Sequence, residues 1–155
     1  MSGRAYWRIY VTANNGAGDL ACQLAEIIFK DQYGANISMV GATISVSSSY
    51  SGYPASNLID GNLSTSWATA TALFPAYIVV QFTIPQLVGL ITITATDPLN
   101  RSPNVFHVDC SDDGVTWTTL SSFSGIVWNV LTTRTFTIPW GTLTDPISIG
   151  PKLPL

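Results

Sequence analysis

Oxygen donors crowd the segment from Asn57 to Thr65. Asp60, Asn62 and Thr65 bring a carboxylate, an amide carbonyl and a hydroxyl within six residues, and Gly61 lets the backbone curl between them. Calcium takes six to eight oxygens and tolerates irregular geometry, so this segment reads as a calcium loop. The same residues also suit an Asx-rich turn closed by its own hydrogen bonds.

Catalytic sets are less persuasive. Acid–base work by paired carboxylates needs two acids with divergent pKa values across a cleft. Asp112 and Asp113 are adjacent beside Gly114, where turn-making is the plainer role, and Asp60 with Glu26 looks more like a ligand pair than an acid–base pair. His107 is the only histidine, and alternation puts it on one face with Val105 and Asp109, opposite Phe106 and Val108. A Ser-His-Asp set has serines to draw on but no G-x-S-x-G context. The expectation is a domain that binds and does not catalyse, with a hydrolase as the competing reading.

Sugars bind by stacking their CH faces on aromatic rings while Asn, Arg and His satisfy the hydroxyls. Tyr50 and Tyr53, in Ser49-Tyr50-Ser51-Gly52-Tyr53-Pro54, lie in a loop with no packing periodicity. Arg101 and Asn104 fall on a second loop, and His107 follows on the next strand. These five residues form the candidate ligand set; Phe74 and Trp128 are weaker candidates. The alternative is that the loop rings cap the edge of the core. One of the pair Tyr6/Trp7, which alternate, is expected inside.

Strands must position these residues. Tyr6 to Val11, Thr43 to Ser47, Tyr77 to Phe82, Gly89 to Ala95 and Thr133 to Ile138 alternate or run apolar at strand length. Leu24 to Phe29 is too short for a helix before Lys30-Asp31-Gln32-Tyr33-Gly34 and reads as another strand. Val105 to Cys110 and Thr116 to Leu120 form a hairpin about Asp112-Asp113-Gly114, since Asp-Gly supplies the positive φ of a tight turn. Ile84-Pro85-Gln86 separates two strands. About eight strands without a long helix imply an all-β sandwich or jelly roll. The domain spans residues 1–140. Residues 141–155, with Asp145-Pro146, Gly150-Pro151 and Pro154, read as an extended tail. Its aliphatic Ile147, Ile149, Leu153 and Leu155 are expected to lie along this domain's own surface or a neighbouring subunit's.

The balance of the 155 residues agrees: 46% are hydrophobic and only 10% charged, which excludes disorder. A net charge of -3 without a basic run excludes a non-specific nucleic-acid surface. Apolar stretches are too short for membrane insertion. The start, Met1-Ser2-Gly3-Arg4, shows no secretory h-region. Cys22 and Cys110 suit two free thiols or one bridge, and with one histidine they do not make a zinc set.

Four stretches together resemble the F5/8 type C, or discoidin, domains and related carbohydrate-binding modules. The segment Ala55-Ser56-Asn57-Leu58-Ile59-Asp60-Gly61-Asn62-Leu63-Ser64-Thr65-Ser66-Trp67 resembles the family's A-x-N-x-x-D-G-N-x-x-T-x-W loop. Ser111-Asp112-Asp113-Gly114-Val115-Thr116-Trp117 resembles its S-x-D-G-x-x-W hairpin. Ala5-Tyr6-Trp7-Arg8-Ile9 and Leu24-Ala25-Glu26-Ile27 resemble its closing pair. The resemblance implies a discoidin-like sandwich that recognises glycans, with Trp67 and Trp117, which close two of its motifs, in the core. It also implies a structural calcium held by Glu26, Asn57, Asp60, Asn62 and Thr65, and a loop carrying Arg101 and Asn104 at the same end as the tyrosines. The closing pair stands first here, as a circular permutation would place it, with Thr135-Phe136-Thr137 leading into Tyr6-Trp7-Arg8 and the first and last strands adjacent. No counterpart of the family's end-tying disulfide is present. Permuted modules of this kind resemble parts of bacteriophage tail and receptor-binding proteins. That implies a virion location after synthesis in the host cytoplasm, an oligomer or larger complex, and contacts to other virion subunits, the tail being one route. A purely structural assembly protein is the alternative.

Overall fold

The computed structural model describes residues 2–16, 21–70, 74–129 and 131–139, so the tail at 141–155 lies outside the described residues. Ten strands and two 3-10 turns make up the regular structure, with no α-helix among the described residues and hence none able to cross a membrane.

The expected alternation of the first strand sets the architecture. β1 (Arg4–Asn14) buries Trp7, Ile9 and Val11 and turns Arg8 and Tyr10 outward. It is the middle strand of an antiparallel sheet that also contains β4 (Thr43–Val46), β6 (Ala76–Gln86), β8 (Pro103–Ser111) and β9 (Thr118–Phe123), in the order β4-β6-β1-β8-β9. A second sheet, β10-β7-β3, joins β3 (Glu26–Lys30), β7 (Leu90–Thr94) and β10 (Thr133–Thr137). A short pair, β2 (Gln23–Leu24) with β5 (Trp67–Ala68), closes one end.

Inner faces of the two larger sheets meet as a sandwich. Phe29 of β3 meets Phe82 of β6 edge-on at 5.7 Å, and Phe136 of β10 meets Phe106 of β8 edge-on at 5.0 Å. Both are favoured aromatic geometries. Fully buried Trp7 and Trp67 fill much of the remaining core.

Several expectations change here. Strand β6 continues through Ile84-Pro85-Gln86 instead of stopping before it, and the described strands number ten where about eight were expected. Leu24 to Phe29 is extended as expected, yet it breaks at Ala25 and serves two sheets. The first and last strands are not adjacent in a sheet: β6 and β8 occupy both edges of β1, and β10 pairs with β7. The residues that flank the first and last described strands nevertheless approach the same segment. A Cβ on Gly3 would stand 2.6 Å from the Pro85 carbonyl oxygen, and Ile138 donates its N–H to the Gly89 carbonyl at 2.9 Å.

Candidate ligand and cation sites

The acidic loop follows a 3-10 turn at Ala55–Leu58, whose buried Leu58 anchors it to the core. Beyond that anchor the loop binds itself. The Asp60 carboxylate accepts from the Asn62 N–H at 2.8 Å and the Thr65 hydroxyl at 2.7 Å, and the Asn62 side-chain oxygen accepts from the Ser64 N–H at 3.0 Å. Asn57 donates its amide to the Ser66 carbonyl at 2.8 Å. Gly61 adopts φ +73°, the left-handed region that suits glycine, and turns its N–H onto the Glu26 carboxylate at 3.1 Å. Strand β3 thus delivers Glu26 to the loop across 35 positions of sequence.

Burial pushes the Glu26 carboxyl up to about 7; the Gly61 hydrogen bond works against that rise and the nearby Asp60 charge adds to it. Among the described residues no cationic side chain pairs with either acid. Two neighbouring carboxylates, one of them buried, with hydroxyl and carbonyl oxygens beside them, make a donor set of the kind a hard cation accepts. Asn57, Asp60, Asn62 and Thr65 lie on the one loop, and Glu26 reaches it through Gly61.

The aromatic pair also stands where a loop reading puts it. Tyr50 and Tyr53 are 57% and 39% exposed, with ring centroids 6.1 Å apart and planes tilted by 47°. Their backbone is fixed: the Tyr50 N–H donates to the Ala68 carbonyl at 2.8 Å, and the Tyr53 N–H to the Tyr50 carbonyl at 2.9 Å. The adjoining strand pair connects them to Arg101. Ala68 stands opposite Gln23, and Arg101 donates to the Gln23 side-chain oxygen at 3.3 Å.

Asn104 donates its amide to the Asn15 side-chain oxygen at 2.9 Å, so it braces the loop after β1. Arg101 and Asn104 therefore share the tyrosines' end of the sandwich. His107 does not.

His107 lies on the outer face of the five-stranded sheet. There its Nδ1 bonds Asp109 at 2.7 Å, and its ring stacks on Tyr10 with centroids 4.7 Å apart. The Thr119 hydroxyl donates to the same carboxylate at 2.7 Å. Three further residues of this face went unremarked in the sequence: Arg8, Tyr10 and Tyr77. Outward alternation in β1 points to the first two, but the cross-strand partner Tyr77 emerges only from the register.

Other aromatic expectations need correction. Trp117 is not core; it is partly exposed and covers the Arg8 guanidinium at 4.2 Å, because the hairpin turn folds back over the outer face. Trp128 is buried and donates its indole N–H to the Pro103 carbonyl at 2.7 Å, and Phe74 packs against the core, so neither offers a free ring. Asp113 makes the turn as expected. It accepts the N–H groups of Val115 and Thr116 at 2.8 and 2.7 Å, and these bonds hold its carboxyl far below the usual range.

Set against known families, residues 43–144 match the model of the F5/8 type C domain. The match begins at β4 and ends beyond β10, leaving β1, β2 and β3 outside it, although β1 runs between two strands that the match includes. Searches of curated proteins and of solved structures gave no match.

Proposed function

This chain belongs to the F5/8 type C domain family, and on that premise we propose that it is a non-catalytic module recognising cell-surface glycans through the Tyr50–Tyr53 end of its sandwich. Domains of the family are carbohydrate- or protein-binding modules. The observation that carries the glycan reading is the exposed tyrosine pair on a backbone pinned to β5. Rings held in place before the ligand arrives lose little entropy on binding it. Arg101, close by through Gln23, supplies a donor for sugar hydroxyls, and Asn104 fixes the loop behind it.

The same proposal includes a structural calcium on Glu26, Asp60 and Thr65, with carbonyl oxygens from Asn57 and Asn62. The ion would supply charge compensation to the two acids and no chemistry. A circular permutation is also part of it. Strand β1 completes a sheet whose other members lie in the matched stretch, and Gly3 and Ile138 both meet the 85–89 segment, as the two sides of a point continuous in an unpermuted chain would. Motif order of that kind favours a bacteriophage tail or adhesion assembly, made in the host cytoplasm and carried in the virion.

A second reading, a purely structural assembly protein, draws on the exposed Tyr33, Val40 and Ile84. Exposed apolar surface of that sort suits contacts with other subunits. A glycan array separates the two. Binding to a defined glycan class supports the first reading; a blank array, with the protein folded, favours the second.

A further inference from the structure

The outer face of the five-stranded sheet carries a second constellation that shares no side chain with the tyrosine loop, although the Tyr77 carbonyl accepts the Ser47 N–H at 3.0 Å, three positions before Tyr50. Tyr10 on β1 stands opposite Tyr77 on β6 and opposite His107 on β8, so three rings form one row across three neighbouring strands. Tyr10 and Tyr77 have centroids 6.5 Å apart with planes only 6° from parallel; Tyr10 and His107 are 4.7 Å apart at 26°. One step along β1, the Arg8 guanidinium lies 4.7 Å from the Tyr10 ring centre and 4.2 Å from that of Trp117.

A single buried acid organises this face. Asp109 is 0% exposed and accepts from Arg8 Nε and Nη2, both at 2.8 Å, and from the Thr119 hydroxyl at 2.7 Å. A carboxylate so engaged is an acceptor, so His107 Nδ1 is the donor to it at 2.7 Å. That fixes the imidazole and leaves Nε2 without a partner among the described residues.

We infer that the row Tyr77–Tyr10–His107 is a second saccharide-binding surface, taking a neutral, hydroxyl-rich polysaccharide chain. Charge decides the ligand class. Arg8 and Asp109 compensate each other, so among the described residues the row has no unpaired guanidinium or ammonium beside it for a nucleic acid or an anionic polymer. Its borders are hydroxyls: Ser122 pairs with His107, Thr119 pairs with Asp109, and Thr12 follows Tyr10 on β1. A stable protein interface needs a buried apolar centre within roughly 1,200–2,000 Å², and no exposed aliphatic side chain belongs to this row. Rings with polar tips beside hydroxyls suit sugar CH faces and hydroxyls instead. Tyr77, 37% exposed, is the most accessible ring of the three.

The inference shares the ligand class of the loop-end reading and none of its residues, so the two can fail separately. The test is affinity electrophoresis in native gels containing galactomannan, xylan or dextran, using protein already carrying Tyr50→Ala and Tyr53→Ala. Retardation by at least one polysaccharide is expected to persist in that background. Adding Tyr77→Ser and His107→Ala should weaken it on the order of tenfold, as loss of ring contacts worth about 1.4 kcal/mol would, while Tyr77→Trp should retain it. Thermal melts verify that each variant is folded. No retardation of the loop variant by any of the three overturns the second surface, and retardation of the wild type alone assigns binding to the loop. Retardation indifferent to Tyr77 and His107 overturns it too.

Discussion

Gly61 donates its backbone N–H to the Glu26 carboxylate at 3.1 Å, joining the start of the three-stranded sheet to a loop 35 positions later. The bond holds a buried acid beside Asp60, whose charge opposes its ionisation. A divalent cation placed between the two would relieve that opposition. Millimolar calcium should therefore raise the melting temperature at pH 8, and Asp60→Ala should remove the response. A wild-type melting temperature indifferent to calcium contradicts the proposed ion.

Without metal, the same pair sets a pH dependence. Glu26 keeps its proton in the folded state up to about pH 7, whereas its ordinary value is 4.5. Between those values the folded state binds more protons than the unfolded chain, so stability falls as pH rises. In buffer with a chelator, the melting temperature should drop from pH 5 to pH 8, and Glu26→Gln should flatten that drop. A wild-type profile that rises over this window sinks the assignment.

Asp109 and Arg8 form a pair in which one member has no solvent contact. Removing the acid leaves the guanidinium and the His107 Nδ1 without their acceptor. Asp109→Ala should lower stability to urea by about 3–5 kcal/mol, the range for breaking a buried ion pair by truncating one partner. A loss below about 1 kcal/mol, the range of surface pairs, would show that the pair is effectively solvated.

Cys22 and Cys110 are free and buried, and burial pushes the Cys22 thiol up to about 12. A thiolate is the reactive form, so both should resist a thiol reagent in the folded protein. Titration with Ellman's reagent should find two thiols in denaturant and almost none reacting within minutes in native buffer. Rapid native labelling of either would contradict the packing.

Strands were legible wherever one face is buried, because alternation reports burial directly. Trp7, Ile9 and Val11 against Arg8 and Tyr10 are the clearest case. Pairing was not legible, since register depends on residues far apart in sequence; hence β1 went to the sheet centre and not beside β10. The oxygen donors of the acidic loop were readable as a local run, and Glu26 was attached to them through the family resemblance. The Asp109 cluster was only half visible. His107 and Asp109 share a strand, but Arg8, Thr119 and Trp117 come from other segments. Trp117 was placed in the core because a motif position says little about which side of a turn a ring covers.

The central claim is that glycans bind at the Tyr50–Tyr53 end. It is tested most directly by reading one glycan array with the wild type and with the Tyr50→Ala/Tyr53→Ala double variant, at matched concentration and with melting temperatures compared. Both rings are substantially exposed, so the variant should melt within a few degrees of the wild type, as surface substitutions usually do. The account predicts a defined set of bound glycans for the wild type, with the signal on the preferred ones reduced about tenfold or more in the variant. An unchanged pattern in a folded double variant would contradict it.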